Sequence, residues 1–355
     1  MNFNGNQGYG YNYSYNPQFN MNFFSEEAMR EKRSLFRDCT KLGVLLIIYN
    51  ILNTVFAYGF YYVTYYVLSK KFTLSYVTVV KYLLDNHESL VHSTVYQMGA
   101  NIAITVLSLA LILIIGKGIM KIDFHGFIRP NKQGAKTAIV WAPACFVINM
   151  IFSLAVAYFT SFMNAQGIAV PESDFTISSP SAASILMQLA YVVILAPIIE
   201  EFIYRGIILG VLSKYGNTAA ILLSAAAFAL MHGNIPQAAS AFGTGIVYAI
   251  IAVNCGSVFP TIIIHMTNNL IANFMDISDV LNLACGELIF SIVEIAVALI
   301  GFFVLFTHIK FLKIQENGKI LDKRTVNRTV FTNPAVLIYL AFMVYEIVKK
   351  FFYVN

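Results

Sequence analysis

Tyr191-Val192-Val193-Ile194-Leu195-Ala196-Pro197-Ile198-Ile199-Glu200-Glu201-Phe202-Ile203-Tyr204-Arg205-Gly206-Ile207-Ile208-Leu209 decides how the rest of the chain is read. Three ionisable residues, Glu200, Glu201 and Arg205, interrupt a run apolar enough to be membrane-embedded. A charged side chain at bilayer depth costs at least about 2.5 kcal/mol, so such groups face a polar cavity or one another and mark functional sites. Helical spacing separates their roles. Glu201 and Arg205 stand four apart and pair on one face, whereas Glu200 points about 100° away, over Tyr204. Glu200 is therefore the carboxylate left free to act, the alternative being an interhelical ion pair with Glu200 capped by a neighbouring helix.

Composition supports the membrane reading. Of 355 residues, 58% are hydrophobic and 12% charged, and mean hydropathy is +0.69. A soluble domain carries about 25% charge. The net charge of +5 is spread over particular loops, so it orients the chain in a cell membrane and gives no support to a nucleic-acid partner. Cys39, Cys145, Cys255 and Cys285 have neither zinc-site nor disulfide-framework spacing and read as buried free thiols.

The sequence predicts an all-α polytopic membrane protein with an eight-transmembrane-helix core and a candidate ninth, C-terminal apolar helix. Residues 1–25 form an Asn/Tyr/Gly-rich tail whose composition cannot build a core. Residues 26–41 form a charged amphipathic juxtamembrane segment, and residues 42–307 the eight-helix domain. A basic segment, 308–333, and an apolar helix, 334–355, follow. Spanning-length runs cover about 42–68, 96–115, 137–162, 183–212, 218–231, 238–253, 258–274 and 288–306. The stretch between the first two, with Lys70, Lys71 and Lys81, reads as a loop. Basic residues before the first run, between the second and third (Lys117, Lys121, Arg129, Lys132) and after the eighth predict a cytoplasmic N-terminus; the loop with Glu172 and Asp174 then lies outside.

Two further apolar helices carry polar residues at helical spacing: Phe228-Ala229-Leu230-Met231-His232 and His265-Met266-Thr267-Asn268-Asn269. Taken singly, such His and Asn residues are interhelical hydrogen-bonding groups. Counting at helical rise places Glu200 and His232 each about 21 Å from the turn that joins their helices, with His265 and Asn269 about 13 and 19 Å from the same face. A shared pocket is feasible. The small-residue stretch Ala238-Ala239-Ser240-Ala241-Phe242-Gly243-Thr244-Gly245 reads as close helix packing beside it.

The ordered set Glu-Glu-x-x-x-Arg (200–205), Phe-x-x-x-His (228–232) and His-x-x-x-Asn (265–269) resembles the CAAX protease and bacteriocin-processing family, the Abi or type II CAAX prenyl endopeptidase-like intramembrane proteases. The resemblance covers about residues 183–273 and departs at no motif position. It implies an eight-helix fold, a cavity open to the cytoplasm and glutamate-dependent hydrolysis of a peptide or lipidated peptide. By that resemblance Glu200 with His232 activates a water, His265 and Asn269 form the oxyanion hole, and Arg205 holds Glu201. The residue types suit the task, since a carboxylate in a low-dielectric cavity can serve as general base and neutral donors can stabilise an oxyanion. No cofactor is expected. A zinc ion on Glu200, His232 and His265 is the alternative, although His-Glu-x-x-His is absent from the sequence. A non-catalytic immunity or scaffold protein, or a small-solute transporter, is the competing class; a transporter should show an inverted repeat, which is not apparent.

Overall fold

A computed structural model describes residues 25–122, 132–171, 177, 181–317 and 320–354. The expected tail and the acidic pair Glu172 and Asp174 lie outside the described residues. Those described form helices joined by short turns, with no strand among them. All eight apolar runs are helical. Among the described residues, six helices are long and apolar enough to cross a membrane, or up to seven if one bent pair counts as a single span.

Helix α1, Glu26–Ser69, opens on Ser25, whose Oγ accepts the Ala28 N–H while Glu26 and Glu27 complement the helix N-terminus. Its 44 residues extend about 66 Å, more than twice a hydrocarbon core, so the juxtamembrane segment and first span are one continuous rod. The stretch read as a loop after it contains α2, Tyr76–Val91. Val79 and Leu83 bury one face of α2 against the end of α1, where Tyr82 meets Tyr65 edge to face at 5.1 Å. Helices α3, Thr94–Ile114, and α4, Lys132–Ala165, follow.

Helix α5, Ala182–Leu212, carries the quoted stretch and contains two π-helical segments, Leu189–Leu195 and Phe202–Leu209. In the first, the Ala196 N–H bonds to the Tyr191 carbonyl, five residues back. The next bond in that register would run from residue 197 to Val192, and Pro197 has no N–H to donate. Helices α6, Asn217–Leu230, α7, Ile235–Cys255, and α8, Phe259–Ala272, complete the site-bearing group. At 14 residues each, α6 and α8 reach about 21 Å, short of a full crossing of about 30 Å. Helices α9, Phe274–Val280, and α10, Gly286–His308, lead to the basic segment.

That segment is not a free loop. Beyond it, α11, Lys323–Phe331, and α12, Pro334–Val354, meet at 58°. Asn333 holds the bend: its amide donates to the Phe36 carbonyl at 3.1 Å and to Thr40 Oγ1 at 2.9 Å, and its Oδ1 accepts the Ala335 N–H. Helix α12 then lies along α1. A Cβ at Gly43 would sit 2.5 Å from the Ala335 carbonyl carbon, so only glycine admits this approach. Tyr339 is wholly buried there, in the main core with Leu42, Tyr49 and Tyr204. The final apolar run is thus packed into the bundle. Cys39 and Cys145 are buried as expected, but Cys255 is only half-buried and Cys285 is exposed, beyond the last buried turn of the site-bearing helices; no disulfide joins any of the four.

The turn joining α5 to α6 is clamped from two sides. Lys214 Nζ pairs with Asp38 Oδ2 at 3.0 Å and Tyr215 donates to the same carboxylate at 2.8 Å, tying the turn to α1. From the other side Glu316 accepts the Thr218 N–H at 3.3 Å and the Thr218 hydroxyl, and pairs with Lys323 at 3.3 Å. A carboxylate on the first amide groups of α6 is where a helix N-terminus favours negative charge.

Candidate active site

The expected Glu201–Arg205 pair forms at the centre of the bundle. Arg205 Nη1 donates to Glu201 Oε1 at 2.9 Å, with both side chains fully buried. Arg205 Nη2 donates to the Gly245 carbonyl at 3.2 Å, and the guanidinium lies 4.2 Å from the Phe228 ring centroid and 5.5 Å from that of Tyr248. The cation is therefore neutralised, hydrogen-bonded and faced by aromatic rings, the conditions under which a charge is tolerated in an apolar interior.

Glu201 Oε1 also meets His265 Nδ1 at 3.2 Å. An ionised carboxylate only accepts, so Nδ1 carries the proton and Nε2 is directed elsewhere. His265 Nε2 lies 3.7 Å from Glu200 Oε2, ion-pair range but longer than a hydrogen bond. Adjacent glutamates thus flank one imidazole from opposite sides: Glu201 is enclosed, whereas the Glu200 side chain keeps 17% exposure.

His232 stands at the C-terminal end of α6. Its Nδ1 is 2.9 Å from the Phe228 carbonyl, which fixes the proton on Nδ1 and leaves the Nε2 lone pair available. Phe228, one turn earlier, touches both imidazoles edge to face, at 5.2 Å from His232 and 5.6 Å from His265. It thereby braces Arg205 and both histidines at once.

Asn269 Nδ2 donates to the Val192 carbonyl at 2.8 Å. This is the acceptor that Pro197 leaves without a donor in the π-helical register, and α8 supplies it from across the helix interface. Asn273 Nδ2 donates to the Asn269 carbonyl, and Gln188 Nε2 to Asn273 Oδ1 at 2.9 Å, so a polar ladder fixes α8 to α5.

The site residues do not all line one chamber. His232, His265 and Asn269 line a cavity of about 470 Å³ bounded also by α4 and α7, with Asn149, Gln237 and Ser240 on its walls. Glu200 lines a second cavity of about 380 Å³ on the side of α1 and α3. Glu200 lines one and His265 the other, and their side chains stand 3.7 Å apart. Among the described residues, no group of three or more His, Cys, Asp or Glu side chains is disposed to hold a metal ion.

Sequence reasoning left out Phe228, Gly245 and Tyr248 as site-building residues. The first stood inside the quoted Phe-x-x-x-His spacing. Gly245 belongs to the small-residue stretch read as packing; its carbonyl serves Arg205, and a Cβ there would meet Phe228 at 3.1 Å and Arg205 at 3.3 Å. Tyr248, whose ring lies 5.6 Å from that of His265, carried no pattern that distinguishes it from an ordinary apolar position.

Residues 182–271, which span α5 to α8, match the family described as Type II CAAX prenyl endopeptidase Rce1-like. Over this region the chain resembles the CAAX-protease family. It is similar to the membrane-embedded CAAX protease MroQ of Staphylococcus aureus (strain USA300), with 29% identity over 146 residues, 39% of this chain and 58% of that protein. It is also similar to an uncharacterized 24.3 kDa protein of Escherichia coli, with 26% identity over 126 residues, 33% of this chain and 58% of that protein. The chain therefore spans little more than half the length of these relatives. No solved structure matches it. Helices α1 to α4 and α9 to α12 lie outside the region matched to the CAAX-protease family.

Proposed function

We propose that this protein is an intramembrane endopeptidase that hydrolyses a peptide bond near the end of a membrane-associated or lipidated peptide. The observation that carries the reading is the buried Arg205–Glu201–His265 chain with Glu200 placed, still partly exposed, against the far side of His265. It leaves one carboxylate of the pair free to act, while the other orients the imidazole.

Glu200 takes a proton from water, and the water oxygen bonds to the scissile carbonyl carbon. His232 supports that water through its Nε2 lone pair, since Nδ1 is committed to Phe228. The carbonyl oxygen becomes an oxyanion held by His265 and Asn269. Because His265 Nδ1 is spent on Glu201, its donation comes from Nε2 and calls for a second proton on the ring. The C–N bond then breaks, and the departing nitrogen receives the proton from Glu200, so that acid and amine products leave the carboxylate as it began. No nucleophilic Ser or Cys enters the sequence of steps.

The substrate arrives from the cytoplasmic side in this reading, where the basic segments and the Lys214 turn are placed by charge distribution. Product mass spectrometry on acylated synthetic peptides, comparing wild type with Glu200→Gln, tests the proposal. Defined cleavage by wild type and none by a folded Glu200→Gln protein is expected; equal product from both would refute the assignment.

A further inference from the structure

The cavity on the α1 and α3 side of Glu200 has no role in the chemistry just described, yet its walls are polar at membrane depth. Asn50, Asn53 and Thr54 line it from α1, Asn101 and Thr105 from α3, and Tyr191 and Glu200 from α5. Asn50 Nδ2 donates to the Leu46 carbonyl at 2.9 Å and Asn53 Nδ2 to the Tyr49 carbonyl at 3.0 Å, each spending one N–H on its own helix. The Asn53 side chain also meets that of Tyr49, whereas Asn101 has no hydrogen-bond partner among the described residues. Carboxamides left unsatisfied at this depth are costly unless a ligand or water meets them.

We infer that this cavity binds the peptide on one side of the scissile bond as an extended, uncharged segment, while the cavity containing His232 and Asn269 receives the other side. This assignment rests on the hydrolase reading. Carboxamides offer a donor and an acceptor in one plane, the same groups that an extended peptide unit presents. Glu200 is the one charged side chain among the described residues that line the cavity, so nothing there neutralises a carboxylate or phosphate. Its volume, about 380 Å³, lies within the usual range of small-ligand sites. Glu200, the proposed water-activating carboxylate, lines this cavity and His265 the other, and the two side chains stand 3.7 Å apart, so a peptide held at both cavities brings its bond to that point. Selectivity for one flank is thereby built from α1 and α3, outside the region shared with the family.

Two experiments on the full chain test this. Acylated synthetic peptides carrying benzoylphenylalanine at successive positions either side of the cleaved bond are photolysed with Glu200→Gln protein, and the adducts are mapped by mass spectrometry. One flank should label α1 within residues 49–57 or α3 within 101–105, and the other should label α4 or α7. In parallel, Asn53→Leu/Asn101→Leu in the wild-type background should lower kcat/KM about tenfold, the loss of roughly one net hydrogen bond, with side-chain preference altered on the first flank and kept on the second. A melting temperature matching wild type separates this from misfolding. If peptides are cleaved but α1 and α3 stay unlabelled, or both flanks label the same cavity, the second-cavity assignment is overturned and the hydrolase reading stands. If wild type cleaves no peptide, both fall.

Discussion

Replacing Arg205 with methionine keeps an unbranched side chain at the centre of the bundle and removes its charge. Glu201 then loses the 2.9 Å contact with Nη1, the Gly245 carbonyl loses its donor, and Phe228 loses the cation on its face. Removing one partner of a buried ion pair costs about 3–5 kcal/mol, chiefly because the other charge stays behind unpaired. At roughly 2 °C per kcal/mol for a chain of this length, the melting temperature should fall by about 5–10 °C. Glu201→Gln in the same protein removes the stranded carboxylate, so Glu201→Gln/Arg205→Met should recover a substantial part of that loss, because residues in one network are coupled. Thermal unfolding of detergent-purified wild type, both single variants and the double variant supplies all four corners of the cycle. A melting temperature for Arg205→Met within about 1 °C of wild type, or single losses that simply add in the double variant, would refute the buried pair as a determinant of the site.

Exhaustive chelation should leave peptide hydrolysis intact; loss of activity restored by zinc would support the metal alternative on Glu200, His232 and His265. In a background lacking the native cysteines, single cysteines at Ser213 and Asn317 should resist an impermeant thiol reagent in intact cells while one at Gln166 reacts, and the reverse pattern would overturn the proposed orientation. Glu316 is partly desolvated, which alone would raise its pKa, but the Thr218 hydroxyl and N–H, and Lys323 beside it, hold the carboxyl below its usual range. A depressed folded-state value contributes stability above the unfolded pKa that disappears as pH falls through the folded one. Glu316→Gln should therefore destabilise the protein at pH 7, with the difference from wild type shrinking below about pH 4; a pH-independent difference in melting curves would argue against the ionised cap.

The Glu201–Arg205 pair was legible because spacing of four residues survives the change from α to π geometry at Phe202. The positions of the apolar helices were legible for a similar reason, being set by long uninterrupted hydropathy. Helix α2 escaped because it buries little of its apolar surface, with Val79, Leu83 and Val91 buried while Val77, Leu84 and Leu90 stay exposed, and because Lys81, after Lys70 and Lys71, suggested a connecting loop. Depth counting made a shared pocket for Glu200, His232, His265 and Asn269 feasible but could not register which side of α5 each would face. The split into two cavities follows from tertiary placement of α1 and α3, whose asparagines the sequence reading did not single out.

Pro197 and Asn269 are mutually dependent across two helices. An alanine at 197 would return an N–H to the α5 ladder in competition with the Asn269 amide; a leucine at 269 would strand the Val192 carbonyl that the proline leaves open. Position 269 is therefore not free to vary alone, and an engineer replacing Asn269 must also decide what satisfies Val192. Pro197→Ala, made first, would be the permissive change that opens the neighbouring position to replacement.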